Sequence, residues 1–437
     1  MFEPEKRVVI TGIGIVSPIG CDVDTFWSNL QTGRSGIAKL DSIPENSLPV
    51  RFGAEVKTFT GEIENFGPLD KNLQRNIRKN QKVMCREIEI GVAACQLALS
   101  HSQLTAEVRS PERTGIVFGC DYLMSRPEEY ADGIKACRNG DDTFQLNEWP
   151  THGLPKVNPL WLLKYLPNMP ASHVAIYNDL RGPSNSLTVR DASTSLAIAE
   201  ATAIIRRGTA DAMLVGSTGS NLQPLRAIHL CKQVALASER SSPAEMSRPF
   251  DSARDGIVLG EGAGAFVLES LESAEKRGAK IWGEICGTVS SFSQPDVKGS
   301  FIRQNTYNMM AKQLQFNPDL KSGGWHIHST GCGSVEGDRA ESQGIHDSLV
   351  ASKSRIPVVA AKSYFGHLGA GSASVEIAAS CLALSHGQLF PMLNCQEQSA
   401  DCPIYVGKAT ESPGNAFVHL AYTPQGQASS VLIRKFV

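Results

Sequence analysis

The stretch Leu187-Thr188-Val189-Arg190-Asp191-Ala192-Ser193-Thr194 sets a carboxylate and a hydroxyl where a chain turns. Leu187 and Val189 alternate with polar residues like a short half-buried strand, and Leu196, Ile198, Ala199, Ala201, Ile204 and Ile205 recur at helical spacing. Asp191 to Ser193 are therefore expected at a strand-to-helix turn. Such a turn aims backbone N–H groups and the positive end of a helix dipole at its side chain, which favours an anion and activates a thiol. No thiol stands there. Asp191 would be held as an anion and be a poor nucleophile, and since Asp caps helices well, a purely structural reading stands beside the chemical one. Ser193 is the alternative nucleophile, because a hydroxyl near a histidine base can be acylated.

His328 and His367 are the other chemical groups, with Lys362 and Glu376 near the second in sequence. Two imidazole N–H groups aimed at one oxygen make an oxyanion site, and a Lys-Glu pair behind them can set charge and orientation without touching substrate. A lone histidine is more often a satisfied core or surface residue, and that reading stands beside the chemical one for each of these. His326-x-His328 could ligate a metal with Asp191 or Asp338, but no further ligand motif adjoins the pair and no metal is expected. Gly260-Glu261-Gly262-Ala263-Gly264 lacks the Lys-Ser/Thr of a phosphate loop and the spacing of a dinucleotide site, so close backbone packing explains its glycines better.

These groups need a scaffold. At 437 residues the chain can bury a large core, and 42 basic against 44 acidic residues give a net charge of −2. No global field recommends nucleic acid or an anionic membrane, so an acidic partner would need a local patch. The 11 cysteines show no CxxC pair, which suggests reduced thiols. No signal-peptide core and no apolar run long enough to span a bilayer are seen, and a cytoplasmic location is the expectation.

Strand-like runs at Val8 to Gly14, Thr114 to Gly119, Met213 to Gly216, Gly262 to Leu268 and Pro357 to Ala361 alternate with helix-like segments at Cys85 to His101, Leu196 to Arg207 and Ala373 to Ser385. That is an α/β pattern. Ala131 to Val157 has little periodicity and reads as an irregular surface excursion.

Landmarks along nearly the whole chain resemble the β-ketoacyl-acyl-carrier-protein synthases, the condensing enzymes of fatty-acid and polyketide synthesis. They are the opening Arg7-Val8-Val9-Ile10-Thr11-Gly12, the Gly182-Pro183-Ser184 approach to the turn, Arg248-Pro249-Phe250-Asp251, Arg254-Asp255-Gly256 with the Gly-Glu-Gly-Ala-Gly run, His328-Ser329-Thr330-Gly331, and Lys362-Ser363-Tyr364-Phe365-Gly366-His367. The resemblance implies a thiolase-like fold, two similar α/β halves (residues 1–272 and 273–437) in a layered α-β-α-β-α arrangement. It puts Asp191 where the family has its cysteine. His328, His367, Lys362 and Glu376 match the family's catalytic histidines, lysine and glutamate, which act on malonyl-carrier thioesters.

The resemblance also implies an acyl carrier protein as partner, with phosphopantetheine arriving on it and no cofactor of the chain's own. It implies a homodimer, or a heterodimer with a cysteine-bearing synthase. Arg75, Arg78, Lys79 and Lys82, in the basic run Lys71 to Lys82, match a carrier-docking region, although a charge run is more often a solvated helical face. Near the carboxyl end the family's glycine-rich gating loop is replaced by Val418-His419-Leu420-Ala421, with His419 in place of the gating phenylalanine. Three readings follow: a synthase-like acyltransferase or malonyl-carrier decarboxylase with condensation impaired or lost, a non-catalytic subunit like the chain-length factors, and an acyltransferase or hydrolase using Ser193 or Asp191.

Overall fold

The computed structural model describes residues 6–43, 50–296, 299–350 and 355–436. Eleven strands form one sheet. In the first half lie β1 (Val8–Val16), β2 (Thr114–Cys120), β3 (Ser184–Thr188), β4 (Ala212–Ser220) and β5 (Glu261–Ser270), with helices α1 (Arg86–Ser102) and α2 (Ser193–Arg206). The second half carries β6 (Gly283–Phe292), α3 (Ser300–Phe316), β7 (His326–His328), α4 (Val335–Leu349), β8 (Pro357–Val359), α5 (Ser372–His386), β9 (Tyr405–Val406), β10 (Ala416–Tyr422) and β11 (Gln427–Arg434).

The strand order is β9-β8-β7-β10-β11-β6-β1-β5-β4-β2-β3. The pairing repeats itself. In one half β3, β2 and β4 are parallel, with β5 and β1 following antiparallel; in the other β8, β7 and β10 are parallel, with β11 and β6 following antiparallel. The two sets meet where Val9 and Ile10 of β1 pair with Glu284 and Gly283 of β6. This is the thiolase-like fold, and it makes the Asp191 turn after β3 the counterpart of the Lys362–His367 turn after β8.

Helices α2 and α5 pack on each other beneath these turns and against the sheet. Their apolar faces join β1, β4 and β5 in a core that includes Ile198, Ala201, Ile205, Val215, Phe266, Val375, Ile377 and Leu382. The sheet admits helices this closely only where side chains are absent. A Cβ on Gly264 of β5 would stand 2.9 Å from the Ser374 backbone of α5, and one on Gly119 of β2 would stand 2.6 Å from Ser193 of α2. The Gly-Glu-Gly-Ala-Gly run thus starts a fully buried strand.

Two expectations change in detail. β3 starts at Ser184 and ends before Val189, because as the outermost strand it is partly exposed and its polar residues need no alternation. The excursion after Ala131 contains a short helix at Ala131–Ala136 and a wide turn at Trp149–Gly153. Aromatic contacts hold it: the Tyr130 ring lies 5.5 Å from Trp161 and 6.4 Å from Trp149.

Candidate active site

β3 leads into a single tight turn, Arg190–Ala192, which packs against β10, β11 and the Gly369–Gly371 turn. Arg190 has a φ of 49°, a left-handed conformation that a non-glycine residue adopts at a cost of about 1 kcal/mol or more. The Arg190 guanidinium faces the Tyr122 ring at 5.3 Å and lies 3.8 Å from Asp121. On the same ring sits the Arg226 guanidinium, 4.3 Å from its centroid and ion-paired to Asp121. Two cations that share one carboxylate thus lie against the Tyr122 ring. The void left among Asp121, Tyr122, Asn221, Arg226 and Gly369 is about 10 Å³, close to the space of one water.

Asp191 is buried and is not the helix cap. Helix α2 begins at Ser193, its capping position is Ala192, and no side chain caps it. The carboxylate instead faces His367: Nε2 stands 3.1 Å from Oδ1, near enough for strong attraction though not aligned as a hydrogen bond. The backbone N–H of Gly369 donates to His367 Nδ1 at 3.1 Å, so Nδ1 carries no proton and Nε2 does. Asn221 also reaches Nδ1, at 3.0 Å. Burial lowers the His367 pKa in spite of Asp191, which leaves a neutral ring whose only N–H is on the nitrogen nearest the carboxylate.

Ser193 is occupied. Its hydroxyl accepts from Val189 N at 3.0 Å and donates to Cys120 O at 3.1 Å, and the residue is fully buried. These bonds tie β3, β2 and α2 together at the turn and commit the hydroxyl proton to a backbone carbonyl.

Across the site, β8 ends in a turn that begins with Lys362. Its ammonium is buried, donates to Thr330 O at 2.9 Å and ion-pairs with Glu376 of α5. The other Glu376 oxygen accepts from His419 Nε2 at 2.9 Å. Burial alone would raise the Glu376 carboxyl, but Lys362 and His419 outweigh it and hold the group down at about 2. Lys362, Glu376 and His419 form one buried, linked set, with His419 Nδ1 left without a hydrogen-bond partner among the described residues.

His419 and Val418 lie inside β10, fully buried, with His419 opposite His328 on β7. The place where a gating loop was looked for is thus the middle of a strand. His328 is also wholly buried; its Nδ1 lies 2.8 Å from Ser380 Oγ of α5, and burial pushes its pKa well down. The loop after it is anchored by α4. Asp338 accepts from the backbone N–H groups of Phe250, Cys332 and Gly333, each at 3.0 Å, and Glu341 accepts from Thr330 and Gly331 at 2.7 and 3.1 Å. These bonds account for Asp338 and Glu341, and they explain why Phe250 of the Arg-Pro-Phe-Asp motif adopts a φ of 60°. Both His326 nitrogens are spent on Pro413 O and Ser380, His328 Nδ1 is spent on Ser380, and among the described residues no three ligand-type side chains gather to hold a metal.

The structure therefore brings Asp191 and His367 together, and gathers Lys362, Glu376, His419 and His328 beside them. Arg75, Arg78, Lys79 and Lys82 lie elsewhere, exposed along the helix Lys71–Asn80 and the turn after it, with Ile77 buried beneath. Arg78 stands 3.7 Å from Glu64, a pairing between exposed groups. Sequence reasoning missed Asp121, Tyr122, Asn221, Arg226 and Ser380. The one available signal was Arg226, a charge in the helix Pro224–Cys231, whose other residues apart from His229 are apolar.

A thiolase-like sheet with a strained strand-to-helix turn facing one part-buried histidine, His367, and a second, buried histidine, His328, on β7 defines the class of condensing-enzyme folds. Family models agree: residues 5–274 match the β-ketoacyl synthase N-terminal domain and residues 325–396 its C-terminal domain. The chain belongs to the β-ketoacyl synthase family. It is 30% identical over 407 residues, 92% of this chain and 90% of the relative, to a 3-oxoacyl-[acyl-carrier-protein] synthase 2 of Synechocystis sp.. Another synthase 2, of Staphylococcus aureus, is 28% identical over 411 residues, 92% of this chain and 91% of that one. Among solved structures, a β-ketoacyl synthase from Burkholderia phymatum superposes with a TM-score of 0.81 at 26% identity, covering 99% and 100% of the two chains. The ishigamide ketosynthase/chain length factor gives 0.82 at 23% identity with the same coverage, a likeness of fold. No helix among the described residues is long and apolar enough to cross a membrane.

Proposed function

We propose that this chain is a non-condensing member of the family, a subunit that pairs with a cysteine-bearing synthase in fatty-acid or polyketide synthesis, with Asp191 standing where the synthases carry their nucleophile. The observation that carries this reading is the contact of Asp191 with His367. A carboxylate fills the turn and stands 3.1 Å from His367 Nε2, the one ring nitrogen whose N–H could be offered to a thioester oxygen. Acyl transfer to Asp191 would make a mixed anhydride, uphill from a thioester, and Ser193 is committed to its turn. The Arg190, Tyr122 and Arg226 cluster leaves a void of only about 10 Å³ beside it, which argues against a bound acyl chain there.

The outer edge supports a partner of the same fold. β3 ends the sheet with Ser184, Asn185 and Thr188 exposed, and the helix packed beside it carries Ile176 at 75% exposure. An unpaired edge with an apolar flank suits strand-to-strand association. A carrier protein that serves the pair would dock through Arg75, Arg78, Lys79 and Lys82.

Co-expression with a cysteine-bearing synthase, followed by native mass spectrometry, tests the pairing. The expected result is a one-to-one heterodimer. A chain that stays a homodimer with each synthase of its own organism would overturn the reading.

A further inference from the structure

His326, Ser380 and His328 form a line of hydrogen bonds whose direction can be read from its outer end. His326 Nδ1 lies 2.8 Å from the Pro413 carbonyl, which only accepts, so Nδ1 carries the proton. His326 is fully buried and its pKa is pushed down to about 4 by that burial, so the ring is neutral and Nε2 is a bare acceptor. Ser380 Oγ, 3.0 Å from His326 Nε2, must donate its single proton there. The same oxygen is then left to accept from His328 Nδ1 at 2.8 Å. His328 Nε2, which finds no hydrogen-bond partner among the described residues, is left unprotonated.

We propose that His326 and Ser380 are positioning residues that lock His328 in its Nδ1–H tautomer, so that His328 Nε2 enters the site as a hydrogen-bond acceptor and cannot donate to a carbonyl oxygen. His367 is fixed in the opposite sense by Gly369, with its proton on Nε2. The two histidines thus present one donor and one acceptor, where a shared oxyanion site needs two donors. The geometry that sets this is remote from any ligand: a backbone carbonyl at residue 413, a serine on α5 and a histidine two residues upstream on the same strand. The assignment concerns this chain alone and holds whether or not it pairs with a synthase.

Nitrogen-15 NMR of the full chain carrying ring-labelled histidine reads the tautomer directly, with His328→Asn identifying the His328 signals. At neutral pH the expected pattern is a protonated Nδ1 and a bare Nε2 for His328, and the reverse for His367. Ser380→Ala removes the relay and should shift the His328 Nε2 signal toward the protonated position, as the ring relaxes to the tautomer free imidazoles prefer. Should that variant not fold, Ser380→Cys, with its weak donor, should move the signal the same way by less. A protonated His328 Nε2 in the native chain, or a His328 pattern that neither Ser380 variant alters, would overturn the proposal.

Discussion

The two strand–turn–helix units of this fold occupy equivalent places and have met different fates. After β8, the turn carries Lys362, and its charge is answered by Glu376, whose second oxygen is answered by His419. After β3, the turn carries Asp191, whose Oδ1 has no aligned hydrogen bond and only the attraction of a neutral His367. The charges of the first turn are answered within the protein, while the second keeps a strained backbone and an incompletely satisfied carboxylate. Residues can therefore persist for reasons of burial. A lysine with almost no exposure requires its carboxylate partner whether or not the site does chemistry.

The largest break in this comparison comes from Glu376→Gln. It strands the Lys362 charge in the interior and should cost about 3–5 kcal/mol, read by chemical denaturation. A loss near zero would mean that Lys362 is neutral or reaches water.

The charge-paired side should also govern the pH dependence of stability. Glu376 is held at about 2 against an ordinary 4.5, so its contribution is complete above pH 4.5 and is lost as pH falls towards 2. Glu341 runs the other way. Burial raises it from 4.5 to about 8, so its contribution is complete below 4.5 and is lost as pH rises through 8. Melting temperature followed across pH should show both limbs, and Glu341→Gln should flatten the alkaline one.

Smaller effects sharpen the picture. Charge reversal at Arg75 and Arg78 together should weaken binding of an acidic carrier protein roughly tenfold at low salt, or ~1.4 kcal/mol, with the fold unchanged. Calorimetry at two ionic strengths measures it, and an unchanged affinity would leave those residues as a solvated face. Smallest is Ser193→Ala, which removes two bonds at the Asp191 turn and should lower stability by about 1 kcal/mol in thermal melts. Any loss of thioester turnover from this change would restore Ser193 as a nucleophile.

Much of this was legible in residue patterns, and the exceptions have physical causes. Period-two and helical spacing anticipated β1, β2, β4, β5, α1, α2 and α5 to within a few residues, because each buries one face or both against the core. β3 was less clear, since an exposed edge strand does not have to alternate. Capping propensity suggested Asp191 as the helix cap, yet the extra turn at Arg190–Ala192 moved the helix start to Ser193. His419 was singled out only as the residue in place of the family's gating phenylalanine, and its partner lies 43 positions away on α5. The bonds from Ser380 to His326 and His328 span 54 and 52 positions, which local patterns do not report.

The central claim, that the site no longer handles acyl thioesters, is tested most directly by intact-protein mass spectrometry of the chain incubated with malonyl- and acyl-carrier protein, reading both partners. Unchanged masses for chain and carrier are predicted. An acyl adduct on the chain, or loss of carbon dioxide from the malonyl-carrier protein that disappears on replacing His328 or His367, would contradict it.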